Sequence, residues 1–423
     1  MHISTAEQAQ ASAKPACRFC HAELTHTVVD LGMSPLCESY LPPEQLNHME
    51  PFYPLHVHVC GRCFLVQLDE YVAPDGIFSE YAYFSSYSDS WVEHARQYTE
   101  QVSARFGLDA SSKVMEVASN DGYLLQHFVK RGVPVLGIEP AANVARVAIE
   151  KHGVPTIVRF LGQQSAHEIR AAHGQADLLV GNNVLAHVPA LNDFVAGLKI
   201  LLKPDGVLTM EFPHLARLME FNQYDTIYHE HFSYLSLIAV EKVFAAHGLA
   251  LFDVEELPTH GGSLRIYARH TDDIAKGVGE RVHALRQWEI GRGLNTLEAY
   301  SHFEQQVRNS KHQLLKFLID AKRAGKSIVG YGTPGKGNTL LNYCSIRQDF
   351  LDYTVDRNPY KHGKFTPGTH IPIHAPERIR KTKPDYLLIL PWNLKEEMMA
   401  QAAYIREWGG QFVVPIPEVR VYS

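Results

Sequence analysis

Val114-Met-Glu-Val-Ala-Ser-Asn-Asp-Gly122 decides how this chain is read. Val114 to Val117 has the length and apolar bias of a short buried strand. Ala-Ser-Asn-Asp-Gly is a tight turn leading into a helix over 122–130. The pattern repeats outward from there. A second strand over 135–138 ends at Glu139, a helix follows over 143–152, and strands are expected over 177–180 and 207–210, the latter reached through Lys203-Pro-Asp-Gly206. Segments 249–254 and 263–268 close the series, joined through Gly261-Gly262. Such alternation marks an α/β fold with a mostly parallel sheet covered by helices on both faces.

The alternation restarts near the C-terminus. A strand over 327–331 runs into the glycine-rich turn Gly330-Tyr-Gly-Thr-Pro-Gly-Lys-Gly-Asn338, and further strands are expected over 350–355, 386–390 and 411–415. This is a second, smaller Rossmann-like α/β unit. The polar stretch between the units has helical spacing at Val307, Leu314 and Leu318 and reads as a pair of connecting helices.

At the other end, Cys17-x2-Cys20 and Cys60-x2-Cys63 form two matched pairs, with Cys37 and Cys344 outside the pattern. Paired Cys-x2-Cys turns converge on a tetrahedral zinc ion, and four thiolates leave no open position, so the metal is read as structural. Disulfides are rare in the reducing cytoplasm, the compartment expected here, where no apolar leader and no 18-residue apolar run are visible. Net charge is −6, which argues against a nucleic-acid partner.

The turn after the first strand offers acceptors and no phosphate loop. Ser-Asn-Asp-Gly lacks G-x-G-x-x-G, so it suits a cofactor without a pyrophosphate, S-adenosylmethionine (SAM), better than NAD, although the spacing to the acid Glu139 would serve either. Glu116, Ser119, Asn120, Asp121 and Gly122 are the candidate residues here. Asn120 or Asp121 is placed for the ammonium and Glu139 for the ribose hydroxyls. Asn182 and Asn183 follow the third strand, and Phe160 to Gln164 is a candidate border for the adenine.

The run Tyr224-Asp-Thr-Ile-Tyr-His-Glu-His-Phe-Ser-Tyr234 concentrates acid–base groups. It lacks the i,i+4 histidine pair of H-E-x-x-H, which turns the reading from metal towards proton transfer. His231 is the candidate base. Tyr228 is the candidate to relay the proton or to hydrogen-bond an oxyanion, Glu230 to orient the substrate or His231, and His187 to take part as well. Tyr83, in Tyr81-Ala-Tyr-Phe-Ser-Ser-Tyr87, could reach in as a lid. In the C-terminal turn, backbone N–H groups and Lys336 read as a phosphate cradle. No Ser or Thr follows Lys336, so it is not a Walker A loop.

Taken together these motifs resemble the SAM-dependent sugar C-methyltransferases, including those acting on carbon 3 of TDP-linked 4-keto-deoxysugars. The resemblance spans nearly the whole chain. It also includes Asn182-Asn-Val-Leu-Ala-His187 and His260-Gly-Gly-Ser-Leu-Arg265. It implies a zinc-bearing N-terminal module, a SAM-binding methyltransferase domain and a nucleotide-sugar-binding C-terminal domain, placed here at 15–75, 76–275 and 326–423, while the chain's own pattern reads as a disordered leader over 1–14 and connecting helices over 276–325. It would put the active-site Tyr and His on Tyr228 and His231, and the substrate's nucleotide against Tyr331, Thr333, Gly335, Lys336, Gly337, Asn338, Asp356 and Asn358. The expected partner is a nucleotide-linked keto-sugar, with no nucleic acid and no membrane, and a monomer is the plausible state. An O- or N-methyltransferase on the same sugar, or a zinc-ribbon RNA-modifying enzyme, are the rival readings.

Overall fold

The computed structural model describes residues 15–73 and 84–423. The leader expected over 1–14 and Tyr83 lie outside these residues. In chain order, β1 (His26–Ser34), β2 (Tyr53–Val59) and β3 (Val66–Leu68) form an antiparallel meander. The central strands follow: β4 (Val114–Val117), β5 (Val135–Ile138), β6 (Thr156–Ile157), β7 (Ala176–Asn182) and β8 (Leu202–Pro213). Next come β9 (Ser233–Tyr234), β10 (Leu249–Leu257) and β11 (Ser263–His270). The C-terminal strands are β12 (Ile328–Tyr331), β13 (Thr354–Val355), β14 (Ile373–His374), β15 (Tyr386–Ile389), β16 (Gln411–Val414) and β17 (Arg420–Tyr422).

The central sheet has the order β10-β11-β8-β7-β4-β5-β6, with β8 through β6 parallel and β11 antiparallel to both its neighbours. The C-terminal sheet runs β14-β13-β12-β15-β16-β17, parallel except for β17. Each sheet reverses its strand order beside its first strand, between β4 and β7 in one and between β12 and β15 in the other. That reversal opens a crevice at the strands' carboxyl ends, where ligands of such sheets bind.

Differences from the sequence reading have local causes. The helix expected over 122–130 begins only at Leu125. Ala118, Asn120 and Gly122 take positive φ of 56°, 48° and 79°, and the turn consumes the residues between. The strand expected over 350–355 shrinks to Thr354–Val355, because Phe350 N and Leu351 N bond back to Arg347 O as a turn. Strands β6, β9, β14 and β17 are two or three residues long, too short to show a period.

The modules share their cores. Val29, Leu55 and Val57 of the N-terminal sheet join one apolar cluster with Ile328, Leu387 and Val413 of the C-terminal sheet. Cys17, Cys60, Leu24 and Leu65 join another with Leu179, Leu208 and Phe212 of the central sheet. The connecting helix Phe303–Arg323 buries a single stripe, Phe303, Val307, Ser310, Leu314, Leu318 and Ala321. The earlier helix Glu280–Gly291, separated from it by the short helix Glu298–Ser301, is more than a connector. The fully buried Glu289 carboxylate accepts from Leu237 N (2.7 Å), Ile238 N (2.9 Å) and His214 Nε2 (2.7 Å). It thereby caps the helix Leu237–Ala246, at about 1.5–3 kcal/mol per charge-assisted bond. Among the described residues, no helix is long and apolar enough to cross a membrane.

Candidate active site

The four knuckle cysteines converge. Cys17, Cys20, Cys60 and Cys63 hold their sulfurs within 4.8 Å of one another, with Cys17–Cys63 at 3.5 Å and Cys20–Cys60 at 3.4 Å. A tetrahedron of sulfurs about 2.3 Å from a central ion has edges of ~3.8 Å, so the array fits zinc. The hydrogen bond between the Cys63 and Cys17 sulfurs lowers the Cys17 thiol and raises the Cys63 thiol, so the two share one proton.

At the central crevice, the positive-φ turn holds its acceptors in the protein. Glu139 accepts from Asn120 N and Ala141 N, both at 2.9 Å, and so ties the tip of β5 to the turn after β4. Gly122 allows close packing: a Cβ there would stand 3.2 Å from that of Ala148. From outside, Ser85 N and Ser86 N donate to Asn120 Oδ1 (3.0 Å) and Asp121 Oδ2 (3.1 Å), so the Phe-Ser-Ser segment next to Tyr83 closes over the turn.

Among the described residues, several buried acceptors at this crevice have no partner: both carboxylate oxygens of Glu116, Ser119 Oγ, Asp121 Oδ1, Asn182 Oδ1 and Asn183 Oδ1. Burial, with Glu139 and Asp121 nearby, pushes the Glu116 carboxyl well above its usual range, and burial raises Glu139 too. A concentration of unsatisfied acceptors around β4 and β7 fits a ligand that carries N–H, O–H and positive charge, as the amino-acid and ribose parts of SAM do.

Beside this crevice stands a cluster of imidazoles. His231 lies under Tyr228 (ring centroids 4.0 Å) and beside His187 (4.7 Å), with Nδ1 2.7 Å from Thr226 O. A neutral ring therefore donates through Nδ1 and keeps Nε2 as an acceptor. All three side chains are half-buried. Burial, with His187 next to it, holds His231 well below the usual histidine value, and burial takes His187 down to about 4. Both rings are neutral at pH 7, the form a general base requires. The Glu230 carboxyl faces Cys37 Sγ (3.9 Å), and burial with Glu38 nearby pushes it up to about 8.

The C-terminal crevice meets this cluster. Lys336 Nζ donates to Asn393 Oδ1 (2.8 Å), stands 5.0 Å from the Trp392 ring centroid, and is close enough to depress both His231 and His260. Trp392 Nε1 donates to Asp225 Oδ2 at 2.6 Å, and burial raises Asp225 to about 7. Lys336 thus faces the reaction cleft. The rest of its loop is occupied by protein. Asp356 Oδ2 accepts from Thr333 N (2.8 Å) and Oγ1 (2.7 Å), and its Oδ1 from Asn358 N (2.8 Å). Asn338 Nδ2 donates to Cys37 O (2.6 Å), and Glu38 packs against Gly335, where its carboxylate meets the start of the helix Gly335–Cys344. Lys361 pairs with Glu38 at 3.8 Å. Tyr331 donates to Gln401 Oε1 (3.0 Å), and Gly337 packs on Leu390.

The sequence reading passed over Asp225, Trp392, Asn393, Lys361 and His260. It also missed a buried network in which His94 (3.0 Å), Arg265 (2.8 Å) and Thr259 (3.0 Å) converge on Glu211 at the end of β8. Burial opposes the charge on Glu211, but His94 and Arg265 overcome it and hold the carboxyl down to about 2. Of these, Asp225 lay in the Tyr224–Tyr234 run, and His260 and Arg265 in the run His260-Gly-Gly-Ser-Leu-Arg265.

Residues 17–78 match a putative zinc binding domain, 90–254 a methyltransferase domain and 258–417 a C-methyltransferase C-terminal domain. The C-methyltransferase NovU of Streptomyces niveus is 35% identical over 410 residues, 96% of each chain. The chain belongs to the C-methyltransferase family. More local similarity extends to a ubiquinone biosynthesis O-methyltransferase of Acinetobacter baylyi, 32% identical over 23% of this chain and 42% of that protein. The SAH-bound magnesium protoporphyrin IX methyltransferase of Synechocystis PCC 6803 aligns with a TM-score of 0.34 at 13% identity, over 42% of this chain and 82% of that one. This C-methyltransferase is a SAM-dependent enzyme with a zinc-binding N-terminal module, a central methyltransferase domain and a C-terminal α/β domain.

Proposed function

We propose that this C-methyltransferase methylates carbon 3 of a nucleotide-linked, TDP-type 4-keto-deoxysugar in the cytoplasm, through an enolate. The observation that carries the reading is the apposition of two crevices. Unsatisfied acceptors line one, Lys336 enters from the other, and neutral imidazoles stand between them. Glu116, Ser119, Asn120, Asp121, Gly122, Glu139, Asn182 and Asn183 hold the cofactor. Bound SAM supplies an electrophilic methyl group on a sulfonium, which departs as a neutral thioether once a carbon nucleophile attacks. The sugar enters opposite, with Lys336 and Lys361 as the cations nearest its diphosphate and the loop over 331–338, Asp356 and Asn358 at its nucleotide.

The hydrogen on the carbon beside a ketone is weakly acidic. His231 Nε2 removes it while Thr226 O holds Nδ1–H and so fixes the tautomer. Tyr228 covers the ring and relays the proton or donates to the substrate oxygen, His187 assists, and Glu230 orients the sugar. The direct test is NMR and mass spectrometry of products from a panel of nucleotide-linked 4-keto sugars incubated with SAM. A new C–CH3 at carbon 3 is expected. A methyl on oxygen or nitrogen would overturn the enolate reading.

Glu139 offers a separate check on the cofactor site. Glu139→Ala removes the ribose acceptor and frees Asn120 N and Ala141 N, so SAM affinity is expected to fall by about 10-fold or more, from roughly 1.5–3 kcal/mol per charged bond. Nucleotide-sugar affinity should be retained. Calorimetry with each ligand in turn reads the result, and unchanged SAM affinity would move the site elsewhere.

A further inference from the structure

His260 is held in a conformation that its residue type resists. It sits at φ 55°, ψ 19°, the left-handed region, which a non-glycine residue keeps only where its surroundings hold it. Those surroundings are tight. Gly261 follows at φ 90°, and a Cβ there would come within 2.7 Å of both Gln223 Nε2 and the Trp392 ring, so only glycine lets the chain pass between the central and C-terminal domains. This backbone turns the His260 side chain towards the cleft. Trp91 packs edge-on against the ring, centroids 5.1 Å apart. Asn183, itself at φ 54° after β7, puts Nδ2 3.1 Å from His260 Nε2. Burial, with Lys336 in range, lowers His260 to about 4, so the ring is neutral and carries a single N–H. With Nε2 accepting from the Asn183 amide, that proton is on Nδ1. The ring is half-buried, and among the described residues no side chain or carbonyl takes the Nδ1 proton.

We propose that His260 is a further catalytic residue, a neutral imidazole that donates from Nδ1 to the substrate's carbonyl oxygen as the enolate forms. The inference rests on the enolate reading above. In the step, the carbon–hydrogen bond breaks and its proton goes to His231. Its electron pair forms the carbon–carbon double bond, and the carbonyl π pair moves onto oxygen. That oxygen accepts the His260 hydrogen bond, and the His260 proton stays on nitrogen. A neutral donor whose place is imposed by a strained backbone is ready before the charge develops, which is what stabilises a transition state more than a ground state.

An isosteric pair tests the donor. Asparagine and aspartate both tolerate the left-handed backbone and have nearly the same shape, but only asparagine keeps an N–H. The full-length zinc-loaded protein is assayed twice with its nucleotide-linked keto-sugar: for α-hydrogen exchange in heavy water with S-adenosylhomocysteine bound, and for methyl transfer with SAM. His260→Asp is expected to lower both rates by about 100-fold or more. His260→Asn is expected to stay at least about ten-fold above it, and both variants should bind S-adenosylhomocysteine as the wild type does. Equal losses in the two variants, a less impaired aspartate variant, or rates unchanged in both would overturn the role of His260 while wild-type exchange keeps the enolate reading. A wild-type enzyme with neither exchange nor C-methylated product would remove both.

Discussion

Replacing His231 with asparagine is expected to lower kcat by about 10²- to 10⁴-fold, the range a positioned general base supplies. Binding of SAM and of the nucleotide sugar should change little, because the ring packs against Thr226 O, Tyr228, His187 and Tyr234. Proton removal and methyl transfer are separable, so the variant should lose exchange of the substrate's α-hydrogen in heavy water along with methylation. Tyr228→Phe should fall less if its hydroxyl only polarises the oxygen, and as far if it relays the proton. The acid limb of kcat/KM is informative too. His231 titrates below the usual histidine value because of burial and His187, so the proton-accepting form survives as pH falls through 6.5 and is lost only lower. The limb is expected well below pH 6.5, and a limb centred on 6.5 would point to an ordinary, exposed histidine. Wild-type turnover in the His231 variant would give the base role to Tyr228 or His187.

Stripping the metal should have the larger effect on the folded state. About one zinc per chain is expected by metal analysis, and chelation or Cys60→Ser should unfold the N-terminal module, since structural zinc in zinc-finger peptides is worth roughly 10–16 kcal/mol at about pH 7. Cys17 and Cys60 are fully buried, and removing the ion would leave charged or unpaired sulfurs in an apolar core. The damage should not stop there. Strand β3 pairs with β9, Val66 opposite Tyr234, so the strand that follows His231 is an edge of the zinc module's own sheet. Loss of zinc is therefore expected to lower the melting temperature and abolish turnover together, both restored by added zinc. Freshly purified, fully active protein without metal would overturn this.

The sequence determined by itself what depends on neighbours in the chain. Val114–Val117 and Val135–Ile138 read as strands because each is a buried run bounded by turn residues, and the structure has them at those residues. The cysteine pairs declared their metal because each Cys-x2-Cys closes half a tetrahedron locally. Tyr228 and His231 stand three residues apart and meet as neighbours. What lies far apart along the chain was decided only by folding. No local signal says that Ser233–Tyr234 completes a sheet begun at His26, because a two-residue strand has no period and its register comes from the partner. Nor does one say that Lys336 turns towards His260, that Glu38 meets the helix at Gly335, or that Trp392 reaches across to Asp225. Those placements follow from how the modules dock through shared apolar cores, and burial then sets the charge state of His187, His231 and His260. The sequence named Tyr228, His231 and His187 as candidates, and tertiary packing alone brought His187 against His231 and buried both rings.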